Sequence, residues 1–461
     1  MNQTASHSLQ AAVDVEIDVE IDVDVAIVGG GMVGMALACA LGGSELSVAL
    51  IDPLASDAAQ RRLALDRAAE QGFDSRVSAL NLASEQILRN LGVWTMMQQQ
   101  RVAPYRQMQV WDGEGTAEIV FSAAEQHQSH LGHIVENRVT LMALHQALTQ
   151  HDNIQWLGGA GLQQLSGPCP LGSALGVAAT RKAGPEPGAD SDSWRQLLLS
   201  DGRRINARLV VAADGAHSSA RRLAGVPLSE WDYQQHAIVT TVTTEKPHQA
   251  TAWQRFTDDG PLALLPLSGT GHQVSIVWST SPDHAQALMA LSANNFAIAL
   301  GQAFEYRLGA ISDVDTRAVF PLVQRHAKRY VEDSLALVGD AAHTLHPLAG
   351  QGVNLGLLDA ATLAEELLKT HQQGLALGDC RRLRRYQRRR QGQSLAMLGL
   401  MAGFRHLYAE VPPPLHWLRN LGMKQVAQSG VLKRQLVRHA LGLEGDLPLL
   451  AKPDLLAAAT L

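Results

Sequence analysis

The sequence is short of cysteine, of aromatic residues and of charge. Cysteine occurs three times in 461 residues, at Cys39, Cys169 and Cys380. No two form a CxxC pair, so a disulfide framework and a zinc ribbon are both poor readings, and a reducing, cytoplasmic compartment fits best. Phe, Trp and Tyr number 7, 8 and 6. Charged residues make up 18%, below the roughly 25% of an ordinary soluble chain. At 46% hydrophobic the chain is too apolar for disorder and long enough to bury a large core. With 38 Lys and Arg against 44 Asp and Glu the net charge is −6, which argues against a dedicated nucleic-acid binder. The opening MNQTASHSLQ lacks the basic region and early apolar run of a secretory signal. A long uncharged run does exist, from Val25 to Ser44, but six of its twenty residues are glycine. Glycine costs about 1 kcal/mol relative to alanine inside a helix. A strand, a glycine turn and a helix therefore explain the run better than a bilayer span.

Acids occupy every second place in VDVEIDVEIDVDV, residues 13–25. A strand central to a parallel sheet should be apolar on both faces, so only Val23 to Val28 reads as core strand. The earlier part, residues 1–21, reads as a solvated acidic extension. Asp57 to Asp74 looks like a polar surface excursion, and RKAGPEPGADSDS, residues 181–193, like a loop. Three apolar runs end at glycine: VAIVGGG, LVVAADG and LALVGDAA. Each reads as a buried strand closing on a turn. Residues 231–280 read as strands carrying aromatics, and after 355 the apolar spacing becomes helical.

Gly29, Gly31 and Gly34 form a G-x-G-x-x-G directly after a strand. Such glycines permit a tight turn and close approach of a pyrophosphate, which the following helix N-terminus favours electrostatically. Asp52 closes the second strand, where an acid accepts hydrogen bonds from ribose hydroxyls. The blander reading is a glycine turn without ligand; strand, helix and acid together favour a dinucleotide. The motif alone does not separate FAD from NAD. Asp214-Gly215 and Gly339-Asp340 each place an aspartate at a strand end. Taken singly, both dipeptides are common turns.

In that order, the three motifs resemble the single-component flavoprotein aromatic hydroxylases. The resemblance implies an α/β, para-hydroxybenzoate hydroxylase-like fold: a Rossmann-type FAD domain, an interleaved β-sheet substrate domain and C-terminal helices. RVSALN (76–81), HIVEN (133–137) and GDAAHTLHPLAGQGVNLG (339–356) look like the ubiquinone-biosynthesis monooxygenases. VWD (110–112), WDY (231–233) and SIVW (275–278) look most like the 2-polyprenylphenol (2-octaprenylphenol) hydroxylases within that family. The match spans about residues 22 to 445, departing from it at the acidic extension, the Asp57–Asp74 excursion, the 181–193 loop and Ala212, where many relatives have glycine. The implied division is FAD domain 22–105, 131–230 and 320–380; substrate domain 106–130 and 231–319; helical region 381–461.

The resemblance also implies residue roles. Gly29, Gly31 and Gly34 would face the FAD pyrophosphate and Asp52 the adenosine ribose. Arg76 would reach the flavin or its phosphates, although a surface arginine is an equally simple reading of that residue alone. Asp214 and Gly215 would sit near the FAD in a motif also linked to NAD(P)H. Gly339 and Asp340 would meet the ribityl chain, and Gly352, Val353 and Asn354 the N1–C2=O edge of the flavin. Pro347 and Gly350 would line its reactive face. His346 and His343 are candidates for acid–base work or for shaping the loop. Their H-x-x-H spacing invites a metal reading, but no third ligand is apparent in sequence and none is expected. Trp253, Phe256, Leu264, Pro266 and Trp278 are candidate substrate-wall residues, with core packing the simpler reading of each.

The implied chemistry is hydroxylation of a polyprenylphenol ring, at the C5 carbon, by NAD(P)H and O2 through a flavin C4a-hydroperoxide. Hydroxylation at another ring carbon, a flavin reductase or dehydrogenase acting on lipid, and a non-catalytic FAD-binding scaffold stay open. Charge is uneven: residues 381–440 carry 13 Lys and Arg against Glu410, and residues 1–74 carry 12 acids against three arginines. The basic segment allows contact with anionic lipid at the inner membrane or with other proteins of the pathway; a solvated helix face is the plainer reading. The sequence leaves a homo-oligomer open.

Overall fold

The structure, a computed structural model, describes residues 20–54, 72–112, 118–169, 193–344, 351–408, 438 and 441–453. Most of the acidic extension, nearly all of the Asp57–Asp74 and 181–193 segments, and His346, Pro347 and Gly350 lie outside the described residues.

Two large sheets organise the described chain. The first is centred on the strand Glu20–Val28, which runs parallel to Val48–Asp52 on one side and Arg204–Ala212 on the other. Ile154–Gly158 extends it beyond Val48–Asp52, and Leu335–Leu337 beyond Arg204–Ala212, both parallel. Val25–Val28, Val48–Asp52, Leu209–Ala212 and Leu335–Leu337 are almost wholly apolar and buried, as central parallel strands must be. The run Val25–Ser44 is thus a strand end, a turn and the helix Met32–Leu41. Among the described residues no helix is long and apolar enough to cross a membrane.

The first strand begins at Glu20, three residues before the expected Val23. Its neighbour supplies the reason. Arg204–Ala212 pairs in register from Glu20↔Arg204 onward, and the buried Asn206 amide donates to Glu20 Oε1 (2.6 Å) and Asp22 Oδ1 (2.7 Å). A partner strand thus satisfies backbone and acids that alternation alone leaves to solvent.

The second sheet is antiparallel over its centre, where Leu228–Thr244, Gln273–Thr280, Gly260–Pro266 and Thr251–Thr257 lie side by side. One face is covered by the helices Pro282–Ala290 and Ala293–Ala303. Leu262, Leu264, Val274, Ile276 and Trp278 meet Leu288, Phe296, Leu300 and Phe304 there. The other face turns toward a small sheet of Val77–Asn81, Val102–Tyr105 and Gly132–Glu136: Leu265 packs with Ala79, Ala103 and Ile134. Gly339–Ala341 links the two large sheets, since the chain leaves Leu335–Leu337 in the first and enters His343–Thr344 in the second.

Phe296 is fully buried between Trp278 and the Arg317 guanidinium. Phe296→Ala is expected to cost about 3–5 kcal/mol of stability, read as a lowered urea midpoint, with flavin affinity unchanged because this core lies on the sheet face away from the glycine turn.

Candidate active site

The carboxyl ends of the parallel strands converge, the place where open α/β sheets bind ligands. Val28 is aligned with Ala212 and with Ile51, so Gly29, Asp52 and Asp214 emerge along one edge. Leu337, aligned with Ala212, delivers Gly339 and Asp340 to the same edge. Hydrogen bonds knit the turns: Gly29 N–H to Ile51 O (2.8 Å), Ala213 N–H to Val28 O (2.8 Å) and Val338 N–H to Ala212 O (3.0 Å).

The glycines are needed for contact as much as for turning. Gly29 has φ +114°, and a Cβ there would stand 2.7 Å from Asp214 N while colliding with Ala213 O. A Cβ on Gly34 would collide with the Gly29 carbonyl oxygen. Around Gly31, by contrast, nothing would lie within 4 Å of a Cβ. The turn is thus closed toward the protein and open on its outer side, at the N-terminus of Met32–Leu41. That is a cradle fitted to a pyrophosphate.

Gly29, Asp52, Asp214, Gly215, Gly339 and Asp340 lie along this edge, with differences in what each side chain does. Asp52 is 8% exposed; Oδ2 accepts from Gly30 N–H (2.6 Å) and Oδ1 from Leu54 N–H (2.8 Å). Its carboxylate therefore ties the second strand to the glycine turn. Asp214 caps the helix Ser219–Leu223: its oxygens accept from Ser219 N–H (2.7 Å), Ala220 N–H (3.1 Å) and the Ser218 hydroxyl. Its side chain serves the fold, and its backbone, packed on Gly29, forms the floor of the turn. Gly215, with φ +80°, follows in open space. Asp340 is accessible to solvent yet crowded by surrounding protein atoms, which raises its pKa above the usual carboxylate range, the nearby His343 offsetting part of this.

The helix Gln351–Gln372 places Gly352, Val353 and Asn354 in its first turn, where backbone N–H groups have no partner within the helix. A Cβ on Gly352 would lie 3.9 Å from Asp340 Oδ1. Gly356 and Gly339 both pack on Val33 of the glycine helix, so the first and last motifs touch. The buried Asn354 side chain donates to Ala79 O (2.8 Å) and accepts from Asn81 N–H (3.0 Å), fastening this helix to the small sheet. Arg76 is exposed, its guanidinium 5.3 Å above the Phe320 ring. Its segment is held by the buried Glu136, which accepts from Asp74 N–H (2.7 Å) and pairs with Arg101 (3.0 Å) and Arg138 (2.5 Å).

The wall candidates divide by sheet face. Leu264 and Trp278 lie in the core under the two covering helices, and Trp253 packs against it. Pro266 pairs with Val274 of that core and shares its face. This corrects the expectation that they border the cofactor side: register puts them on the far face. Phe256, out of phase with Trp253 on its strand, takes the near face. Leu265, Val277, Ala237 and Tyr233, which were not among the candidates, also occupy the near face. Their parity along each strand was the available signal.

Two further residues escaped the sequence. Arg221, buried, donates to Ala341 O (2.8 Å) and Ala216 O (2.9 Å), bridging the second and third motifs. Asp359 is fully buried and gathers Gly339 N–H (3.0 Å), His343 Nε2 (2.6 Å) and Arg390 Nε (2.7 Å). Burial opposes its charge, but His343 and Arg390 prevail and lower its pKa. His343, itself fully buried, is thereby a partner of Asp359. Cysteine chemistry plays no part at Cys39, whose thiol burial pushes up to about 12.

Gly34→Ala is expected to abolish stoichiometric FAD binding, read as loss of bound-flavin absorbance, because the new methyl meets the Gly29 carbonyl. Asp359→Asn leaves Arg390 buried without its carboxylate and should cost about 3–5 kcal/mol at neutral pH. A depressed folded-state pKa means that the stabilisation is present above the unfolded value of 3.8 and is lost as pH falls through the lower folded value. Urea midpoints should therefore separate wild type from Asp359→Asn at pH 7 and begin to approach one another only below about pH 4.

Comparison with known proteins agrees with this geometry. An FAD binding domain family model matches residues 188–398. The 3-demethoxyubiquinol 3-hydroxylase of Escherichia coli (strain K12) is 38% identical, the alignment covering 91% of this chain and 98% of that protein. The human mitochondrial ubiquinone biosynthesis monooxygenase COQ6 is 32% identical over 90% and 92% of the two chains. Among solved structures, p-nitrophenol 4-monooxygenase PnpA from Pseudomonas putida DLL-E4 superposes with a TM-score of 0.69 at 18% identity, covering 93% of this chain and 99% of that one. The fold is thus that of the para-hydroxybenzoate hydroxylase-like flavin monooxygenases, and the chain belongs to the FAD-dependent monooxygenases of ubiquinone biosynthesis.

Proposed function

We propose that the protein hydroxylates the ring of a polyprenylated phenol, with the C5 carbon as the position attacked. The supporting observation is the convergence of the three motifs on one open edge of the first sheet, beside the small sheet on which the near face of the second sheet packs. Bound FAD, reduced by NAD(P)H, supplies the activation of O2. The protein's own residues do the rest. The turn around Gly29, Gly31 and Gly34 holds the pyrophosphate; Asp52 and Asp340 offer carboxylates to ribose and ribityl hydroxyls; Arg76 neutralises phosphate or flavin charge. The first-turn N–H groups of Gly352, Val353 and Asn354 present positive potential to the flavin ring edge. Pro347, Gly350 and His346 complete the reactive face in this reading. The first sheet carries FAD and the second covers the phenol, its apolar near face (Phe256, Leu265, Val277, Tyr233) excluding water from the ring.

A second reading concerns the position alone. The Escherichia coli relative is named for the 3-position of a demethoxyubiquinol, which favours that later intermediate as substrate. Arg381, Arg384, Arg385 and Arg388 line one exposed face of the helix Cys380–Tyr408, and we include peripheral contact with anionic lipid or with acidic pathway proteins in the proposal.

Two measurements test this. Turnover under 18O2 should place one labelled oxygen in the phenolic product; unlabelled product would leave a reductase or dehydrogenase. Quinone-intermediate profiling of a strain lacking the protein should show an accumulated polyprenylphenol. An accumulated demethoxyubiquinone would instead establish the second reading.

A further inference from the structure

Away from the flavin edge, the helix Leu82–Asn90 and the strand Gly132–Glu136 bring together one carboxylate and two imidazoles. Glu85 Oε2 lies 2.7 Å from His130 Nε2 and 3.2 Å from His133 Nδ1, and the three atoms all fall within 4.8 Å of one another. Glu85 and His133 are buried, at 5% and 6% exposure. His133 Nδ1 is buried and turned toward this same carboxylate oxygen.

We propose that Glu85, His130 and His133 form a binding site for a single zinc ion. Two ring nitrogens, from His130 and His133, converge on one carboxylate oxygen of Glu85, the donor set of a three-ligand zinc site. A cation bonded to all three atoms would use both ring nitrogens and the carboxylate oxygen at once. Bonds of about 2.0–2.2 Å in tetrahedral geometry put ligand atoms about 3.3 Å apart, and the three atoms here already lie within 4.8 Å of one another. Two imidazoles and one carboxylate select zinc over magnesium, which prefers an all-oxygen set. The half-buried His130 leaves the fourth position open to water.

The surroundings already orient the ligands. Ser129 Oγ lies 2.8 Å from His130 Nδ1, leaving Nε2 as the inward atom. Arg89 binds the other Glu85 oxygen through Nε (2.9 Å) and a terminal nitrogen (2.6 Å), so Glu85 offers one oxygen only. Trp94 packs edge-on against His133, ring centres 4.9 Å apart. Burial works against the Glu85 charge, but the facing imidazoles and Arg89 hold its carboxyl well below the usual range. Partners of this kind fix ligand geometry in metal sites. The zinc would brace a helix whose N-cap residue, Asn81, also donates to Asn354.

The test is titration of FAD-loaded protein with zinc chloride and, separately, magnesium chloride, followed by calorimetry and thermal unfolding. One zinc per chain should bind and raise the unfolding midpoint, with magnesium inert. His130→Ala, half-exposed on a loop, should keep its flavin spectrum while weakening zinc binding at least about tenfold and removing the midpoint shift. His133→Phe, which preserves packing against Trp94, should do the same. Absence of stoichiometric zinc binding in the wild type, or wild-type zinc affinity in either folded variant, would overturn the proposal.

Discussion

The Asp359 carboxylate is the point on which the site depends. It has no exposure to solvent, and a charge so buried persists only with partners. Its partners come from three places: the Gly339 turn, His343 at the edge of the second sheet, and Arg390 deep in the arginine-rich helix. One group thereby fixes the junction at which the chain passes from the first sheet to the second. Asp340, exposed at the open edge, is the immediate neighbour of that pinned glycine. Tyr386 adds a second tie, donating to Leu337 O (2.7 Å) from the same helix as Arg390.

This changes the meaning of the basic segment. Seven arginines in ten residues read as surface charge, and for one helix face that holds. Arg390, however, is fully buried on Asp359, and Arg389 is held by Glu365, Glu366 and Asp446. The helix is amphipathic in an unusual sense, with paired arginine on its inner side and accessible arginine on its outer side. The net charge of −6 conceals this arrangement, because pairing is decided by distance and not by totals.

Legibility followed the range of the underlying interactions. The glycine motif was readable because a strand, a turn and a helix N-terminus are local events, and their residue types follow from backbone sterics. The expected strand start at Val23 came three residues late because Asn206, far along the chain, supplies the partners of Glu20 and Asp22. The substrate wall was half legible. Trp253, Leu264, Pro266 and Trp278 are apolar and lie in the right strands, but aromatic character does not state which face a strand buries. Only the pairing of Leu262 with Trp278 and of Leu264 with Trp253, together with the helices above them, assigns them to the far core.

The sequence by itself determined the dinucleotide-binding strand, turn and helix, whose chemistry is local, and the order of the three motifs, from which the resemblance to the family and its FAD followed. Tertiary structure decided which carboxylates serve the fold and which stay accessible: Asp214 caps a helix, Asp359 holds the junction, and Asp340 is left at the open edge. It also decided that Glu85 stands beside His130 and His133. In each case the deciding quantity is a distance between residues remote in sequence, set by sheet register and helix packing, which no spacing along the chain encodes.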